Sequence, residues 1–299
     1  MLNYVLLILS MITASGKALF GKAVGKGTKT LNDSLKQNFQ AFAVAFVCSL
    51  FFIIGKFDRL FCVSPFTMIL SLVFALSVAL TQITQSKAMA LGASSVVSLI
   101  YSFGFVLPIV FALIVWGEEV SAWQWIGLGF LVVSLVLIVY KKGEKTKRNL
   151  VWFILAIVAM IGSGTNAILQ KIHQRSPHFG ELEVFLVYAT FFSMLFTFIA
   201  FIITMRKKTT EQIEAEKQTS LLKKLIGPIG WGVCVCALNF INLYLAGKLP
   251  SVIQFPIYNV GNLLLTTIIS AIIYKDKTTI LQKIGLCVGV VAILVIGLL

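Results

Sequence analysis

The sequence predicts an all-α membrane protein with ten transmembrane helices arranged as two inverted five-helix repeats. Three observations predict this fold class: an apolar composition, ten long apolar runs, and a similarity between the two halves of the chain. Hydrophobic residues make up 59% and charged residues 12% of the 299 residues. An ordinary soluble domain has about 45 to 50% and about 25%. Apolar runs of this length close their own backbone hydrogen bonds as helices, so we expect a multi-pass protein of the cell membrane.

Ten apolar runs of membrane-spanning length follow one another along the chain. They cover residues 2–21, 38–54, 66–87, 93–116, 122–140, 150–170, 183–205, 225–246, 251–274 and 280–298. In each set of five, a very short turn joins the third and fourth runs, and an acidic turn joins the fourth and fifth. The chain is therefore divided into a first repeat at 1–140, a basic linker at 141–149 and a second repeat at 150–299.

The two halves align with each other in sequence. At an offset of 158 residues, 118–128 lies opposite 276–286, and both segments have an acid, a Gln six positions later and a Gly nine positions later. The early part of each half aligns at an offset of 149, which places Lys22 opposite Lys171. Because five spans are an odd number, the second copy must enter the membrane from the opposite face, as in many secondary transporters.

The positions of the basic residues predict how the chain is oriented in the membrane. The net charge is +14, which in a soluble protein would suggest nucleic acid. Here the basic residues lie mostly in short connections, so we expect them to orient the chain and predict no nucleic-acid partner. The face that holds connections 1–2, 3–4, 5–6, 7–8 and 9–10 has 18 Lys and Arg, and the other face has 5. By the positive-inside rule, the first face is cytoplasmic and both termini are outside.

The duplicated plan carries a motif, GEEVSAWQWIG at 117–127, with a second copy, KDKTTILQKIG, at 275–285. Together they resemble the EamA-type transporters of the drug/metabolite transporter superfamily. The resemblance implies two five-helix halves around a central cavity, lined mainly by the first, third and fourth helices of each half, with alternating access. It also implies cytoplasmic termini, in conflict with the charge count, so the orientation stays open. In the second copy, Lys275 and Asp276 replace Gly117 and Glu118, so one shared role for the two acids does not follow.

Polar side chains inside the spans are the candidates for solute binding, because in hydrocarbon they need a partner or water. Thr81 and Thr84 share one helix face of the third run, and Asn239 and Asn242 occupy the equivalent positions of the eighth. Facing one cavity, these stripes would bind a polar solute. Alternatively, they bond helix to helix, for about 0.6 to 2 kcal/mol each. The ninth run adds Pro256, where we expect a kink or an unwound turn.

The predicted substrate-binding residues are Lys17, Gln82, Gln85, Tyr101, Asn166, Asn239, Asn242, Gln254, Tyr258, Asn259 and Asn262. Most would act as hydrogen-bond donors and acceptors. Lys17 either snorkels to the nearby face or offers its charge to an anionic or zwitterionic solute. Lys22, Lys87 and Lys171 are closer to helix ends, where snorkelling is expected.

The acidic residues all lie in connections or at helix ends, which argues against a cation exchanger built on a buried carboxylate. We expect Glu118 and Glu119 to shape their turn, to cap the next helix near Ser121, or to pair with interfacial lysines. His173 and His178 are expected to be solvated near a connection. The five cysteines are expected to be small core residues.

No enzyme motif, metal-ligand pattern or cofactor fingerprint is present. The sequence therefore predicts a secondary carrier, an exporter or exchanger, that moves a small polar metabolite by alternating access. Two alternatives from other classes are a non-transporting membrane assembly subunit and an intramembrane lipid-modifying enzyme. The expected partners are the small polar metabolite and the lipid bilayer, and a homodimer is left open.

Overall fold

A computed structural model describes residues 2–25, 31–91, 94–139, 150–204, 221–273 and 279–298. In these ranges the chain is helical, with no strand. The α-helices are α1 (Leu2–Gly25), α2 (Leu31–Phe51), α3 (Asp58–Phe61), α4 (Pro65–Leu91), α5 (Ser94–Ser102), α6 (Val106–Trp116), α7 (Ala122–Val139), α8 (Leu150–Arg175), α9 (Leu182–Thr204), α10 (Leu221–Ala246), α11 (Ser251–Ile273) and α12 (Ile280–Leu298). The basic linker 141–149 and the turn that contains Asp276 lie outside the described residues.

Eight helical segments in the described ranges are long and apolar enough to cross a membrane. They are Leu2–Phe20, Pro65–Met89, Val96–Trp116, Leu150–Arg175, Phe179–Thr204, Ile226–Ala246, Ser251–Ile269 and Ile280–Leu298, and Ala122–Ile138 is a shorter apolar helix. Large apolar side chains cover the outside, such as Ile114 at 78% exposed and Ile203 at 77%. Water would oppose such a surface, whereas lipid tails accommodate it. The protein is an all-α, multi-pass membrane protein.

The fourth apolar run is interrupted near its middle. Helix α5 ends at Ser102, a 3₁₀ turn covers Phe103–Phe105, and α6 begins at Val106. Pro108 has no backbone N–H to donate to the carbonyl of Gly104, which helps to explain why the regular helix stops here. Of the two outcomes expected at Pro256, an unwound turn is wrong, because α11 continues through that residue as helix.

The helices pack in a few extensive pairs. Helix α1 packs against α10 and α11, and α4 packs against α8 and α9. Helix α2 packs against α9 and α10, and α7 packs along α12. The α7–α12 pair is close because Gly285 and Gly289 of α12 face α7, where the Ser134 hydroxyl donates to the Gly285 carbonyl at 2.7 Å.

The repeated motif forms the same local structure in both copies, the start of a helix. The Ser121 N–H donates to the Gln124 side-chain oxygen at 3.1 Å, and the Gln124 N–H donates to the Ser121 hydroxyl at 3.2 Å. Thr279 and Gln282 make the same reciprocal pair at 3.0 and 3.3 Å. These are capping boxes. The caps come from Ser121 and Thr279. Of the roles expected for Glu118 and Glu119, the pairing of Glu118 with a lysine is confirmed, because Glu118 contacts Lys171.

Candidate functional site

Gln254 and Asn242 join α11 to α10 in the interior. The Gln254 side chain is fully buried, and its Nε2 donates to the backbone carbonyl of Asn242 at 2.9 Å. A carbonyl can only accept, so this bond fixes the orientation of the Gln254 amide. The Gln254 Oε1 and the Asn242 Oδ1 are buried and have no hydrogen-bond partner among the described residues. Two acceptors on adjoining helices are therefore left open.

Two tyrosines lie beside these amides. Tyr258 follows Gln254 by one helical turn and lies next to the Asn242 side chain and near Tyr101. The Tyr101 hydroxyl is within reach of the Ser163 side chain on α8. The tyrosines therefore link α5, α8, α10 and α11 around the centre of the protein.

Asn166 is also on α8, three residues after Ser163 and on the same helix face, so its position relative to the tyrosines follows from helical spacing. Its Oδ1 is also buried without a partner among the described residues. We refer to Tyr101, Asn166, Asn242, Gln254 and Tyr258 as the amide cluster.

The open acceptors coincide with the sequence prediction. Five described side chains have a buried oxygen or nitrogen without a partner: Asn32, Asn166, Trp231, Asn242 and Gln254. Three of these five belong to the amide cluster. An unpaired buried polar atom costs about 1–3 kcal/mol, and native proteins contain few of them. Three of the predicted substrate-binding residues therefore have an open acceptor, and their role in binding stays a prediction.

Asn239 lies next to the amide cluster in a narrow cleft. The cleft is lined by Phe42, Phe74, Gln170, Phe185, Leu186, Ala189, Thr190, Ser193, Asn239 and Leu243. Gln170 and Asn239 are one turn from Asn166 and Asn242, so the cleft continues the same polar faces of α8 and α10. This cleft has room for about one water molecule.

Lys17 lies apart from this group on α1. Its side chain is partly buried beside the thiol of Cys234 on α10. No acidic side chain pairs with it among the described residues. The structure does not bring Lys17 to the amide cluster.

Four other candidates are not part of the amide cluster. Asn259 donates to the Phe255 carbonyl of its own helix at 2.9 Å. The Asn262 Oδ1 accepts from Ser15 at 3.4 Å and from Thr266 at 3.1 Å. Gln82 and Gln85 are partly buried on α4 and make no hydrogen bond to the cluster within the described ranges.

The polar stripe expected on α4 is also directed elsewhere. Thr81 donates to the Ser77 carbonyl at 2.6 Å, and Thr84 donates to the Leu80 carbonyl at 2.8 Å. Both hydroxyl protons are thus used within the helix. Thr81 also packs against Gly162 of α8, so this face of α4 serves helix packing.

A second polar group lies where α6, α8 and α11 meet at one membrane face. The Glu118 Oε1 is 2.6 Å from the Lys171 ammonium and 2.6 Å from the Arg175 guanidinium. Its Oε2 accepts from the backbone N–H of Ser251 at 2.7 Å, at the first residue of α11. Lys171 also donates to the Ser251 hydroxyl at 2.6 Å. We refer to Glu118, Lys171, Arg175 and Ser251 as the Glu118 cluster.

Burial makes the Glu118 cluster different from a surface ion pair. The Lys171 side chain is 1% exposed and that of Glu118 is 10% exposed, while Arg175 is 39% exposed and lies over the Trp116 ring. Lys171 therefore does not snorkel, and that expectation is wrong. Burial alone would raise the pKa of Glu118, but Lys171, the Ser251 N–H and Arg175 together hold it below its ordinary value.

His173 is also buried, so the expectation that it is solvated is wrong. Its side chain is 0% exposed, with Nε2 at 3.4 Å from the Thr67 hydroxyl. Nearby, Glu181 accepts from the Ser64 hydroxyl at 2.7 Å and lies 3.7 Å from His178. This contact joins α4 to the start of α9 at the same membrane face as the Glu118 cluster. Within the described ranges, no group of three or more His, Cys, Asp or Glu is placed to hold a metal ion.

The sequence predicted a lysine partner for Glu118 as one alternative, and two sequence observations together would have singled out Lys171 and Arg175. The turn at Glu118 and the end of the run that contains Lys171 and Arg175 lie at the same membrane face in the ten-span plan. An acid and two bases at one face, close to the ends of apolar runs, predict an ion pair. Ser163 and Gln170 carried a weaker signal, their helical spacing from Asn166.

Comparisons with known proteins locate the fold but not the activity. No protein-family model matches the sequence, and no curated protein matches it. One solved crystal structure is similar over 99% of this chain and 96% of its own, with a TM-score of 0.73 and 13% sequence identity. At that identity, the similarity supports a shared fold over nearly the whole chain and nothing about function.

Proposed function

We propose that this protein is a secondary carrier of the cell membrane, related to the EamA-type transporters, that moves a small polar metabolite by alternating access. The two halves, 1–140 and 150–299, are the two inverted units. The solute binds at the amide cluster, and the protein acts as a carrier rather than as an enzyme.

The pattern of helix pairs supports the inverted repeat. In the sequence alignment α1 corresponds to α8, α4 to α10, and α5–α6 to α11. Helix α1 packs on α10 and α11, and its counterpart α8 packs on α4 and on α5–α6. The pairs α2–α9 and α7–α12 each join a helix to its own counterpart. Exchange of the two halves leaves this set of contacts unchanged, as a two-fold relation would require.

The open acceptors are the observation that carries the proposal. Asn166, Asn242 and Gln254 lie on three helices and each presents a buried oxygen without a partner among the described residues. Such oxygens are satisfied by N–H or O–H groups, so the solute brings donors such as amine, amide or hydroxyl groups. A site that hydrogen-bonds its solute strongly rejects an analogue without those donors, because its own polar atoms are then left open.

The first test is a search for the solute. Purified protein is heated with pools of small metabolites, sorted into donor-rich and donor-poor compounds. Donor-rich pools are expected to raise Tm, since a ligand that binds only the folded state stabilises it. A double variant, Asn242→Leu with Gln254→Leu, is expected to lose this shift. Thr267→Val is the matched control, because its hydroxyl bonds within α11 to the Leu263 carbonyl at 2.7 Å.

The second test is flux. The compound that raises Tm is loaded into proteoliposomes, and its exchange with external labelled compound is measured. The wild-type protein and Thr267→Val are expected to exchange it, and the double variant is not. A ligand that binds without flux would contradict the carrier and favour the assembly subunit.

A further inference from the structure

We infer that the Glu118 cluster is an ionic latch that closes one access path to the amide cluster, and that it must open whenever the solute passes through that face. This inference rests on the proposed function, because it describes how the same site is reached.

The latch connects the two halves of the chain. Glu118 belongs to the first repeat, whereas Lys171, Arg175 and Ser251 belong to the second. The Glu118 carboxylate accepts from all three, at 2.6 Å from Lys171, 2.6 Å from Arg175 and 2.7 Å from Ser251. A movement of one half against the other therefore separates these groups.

The latch is placed on the helices that carry the amide cluster. Ser251 is the first residue of α11, and Gln254 follows three residues later. Lys171 is on α8, five residues after Asn166. Glu118 also provides a negative charge at the N-terminus of α11, where the helix dipole and the open N–H groups favour an anion. Release of Glu118 therefore frees the first turn of α11, next to the open oxygen of Gln254.

The chemistry of the contact suits a reversible closure. A buried ion pair gains attraction but loses hydration of both ions, so the two nearly offset each other. When water enters, Glu118 and Lys171 recover that hydration. An apolar contact of the same size would recover no hydration free energy when water enters, so it would stay closed. The partial exposure of Arg175, at 39%, provides the edge where water reaches the cluster first.

A second contact at this face also joins the two repeats. The Glu181 carboxylate accepts from the Ser64 hydroxyl at 2.7 Å and lies near His178. This contact connects α4 to α9, away from the amide cluster. It helps to hold the same face together but does not involve Glu118, so removal of Glu118 alone tests the latch.

The test uses the full chain in nanodiscs, without solute, so that it is independent of transport. Hydrogen exchange is measured for the amides of residues 251–258 in the wild-type protein, Glu118→Gln and Glu119→Gln. Glu119 is the matched control, because it is the adjacent glutamate and its side chain is exposed. We expect exchange in Glu118→Gln to be faster by about tenfold or more, and exchange in Glu119→Gln to equal that of the wild-type protein.

A second measurement separates an opened path from a loosened helix. Gln254→Cys is introduced in the wild-type and Glu118→Gln backgrounds, and its reaction with a membrane-impermeant thiol reagent is followed by peptide mass spectrometry. Faster labelling in the Glu118→Gln background, with faster exchange, supports the latch. Faster exchange without faster labelling overturns it, as does equal exchange in all three proteins.

Glu118→Gln leaves Lys171 without a counter-charge, and this variant could fail to fold for that reason. A milder variant keeps the latch testable. Arg175→Gln removes the exposed member of the cluster and keeps the Glu118–Lys171 pair. It is expected to speed exchange at 251–258 severalfold, and unchanged exchange overturns the latch. If the latch behaves as expected while no solute crosses proteoliposomes, the carrier proposal fails and the latch stands as a contact that opens the central site.

Discussion

The amide cluster and the Glu118 cluster are both buried polar groups between the two halves, but they differ in how well they are satisfied. In the Glu118 cluster the two carboxylate oxygens have three partners within 2.7 Å. In the amide cluster three buried oxygens have no partner among the described residues. A satisfied network stabilises the fold, whereas open acceptors reduce stability unless a ligand arrives. The difference teaches that the Glu118 cluster stabilises the fold, whereas the amide cluster is left with open acceptors that the carrier proposal assigns to the solute.

The largest expected effect comes from the satisfied cluster. Lys171→Met leaves the Glu118 carboxylate buried with one fewer charged partner, and breaking a buried ion pair costs about 3–5 kcal/mol. We expect the free energy of unfolding, measured by denaturant titration in mixed micelles, to fall toward the lower end of that range because Arg175 remains. Lys87→Met is the control, because Lys87 is exposed, and it should change stability by about 0.5 kcal/mol or less. Equal losses of stability in Lys171→Met and Lys87→Met would contradict the view that the Glu118 cluster stabilises the fold.

Protonation of Glu118 should have a smaller effect, since it removes the charge and leaves the side chain in place. The pKa of Glu118 is lowered in the folded state relative to the ordinary value of 4.5. Its contribution to stability is therefore complete above the unfolded-state pKa and is lost as pH falls through the folded-state pKa. We expect the thermal stability of the wild-type protein to fall on acidification through this range, and that of Glu118→Gln to fall less. Parallel pH profiles for the two proteins would show that Glu118 is not the group responsible.

Asn166→Leu should have the opposite sign. It replaces an open buried oxygen with an apolar group of similar size, so the free energy of unfolding is expected to rise by about 1 kcal/mol. The same variant should also bind the ligand more weakly. The ligand concentration needed for a given rise in Tm should increase tenfold or more. A loss of stability instead would mean that the Asn166 amide has a partner. Only Asn242 and Gln254 would then count as open acceptors in the amide cluster.

The smallest effects are expected at the two capping boxes, which are satisfied but exposed. Ser121→Ala and Thr279→Ala each remove one side-chain acceptor at a helix start, for about 1 kcal/mol or less. Similar losses of stability in the two variants would show that the two copies of the motif stabilise their helix starts to the same extent. A loss at Ser121 several times that at Thr279 would contradict it.

The sequence predicted the all-α membrane class, because this class depends on runs of apolar residues that are visible without knowledge of their neighbours in space. The sequence also singled out Gln254, Asn242 and Asn166, since an amide inside an apolar run is conspicuous, and their role in binding stays a prediction. Lys171 and His173 were misjudged for the opposite reason. Whether a polar group at a helix end turns outward depends on what another helix offers it, here Glu118 and Thr67. Thr81 was misjudged because a hydroxyl can be satisfied within its own helix.

The break in the fourth run shows the same limit. Pro108 and Pro256 are equally visible in the sequence, yet the helix is interrupted near Pro108 and continues through Pro256. Near Pro108, Gly104 lies against the Met160 carbonyl and Ser163 of α8, where a side chain would not fit. The structural effect of a proline thus depends on its surroundings, and one chain does not reveal them.

The Glu118 contact also has a consequence for the order in which the protein is made. Glu118 emerges from the ribosome 53 residues before Lys171 and 133 residues before Ser251. During that interval the Glu118 carboxylate lacks at least one of these partners. The backbone N–H of Ser251 at the start of α11 in turn depends on Glu118 of the first half for its acceptor. A nascent chain therefore stays incomplete at this face until α11 is inserted, and fragments that stop before it would present an unsatisfied acid to quality control.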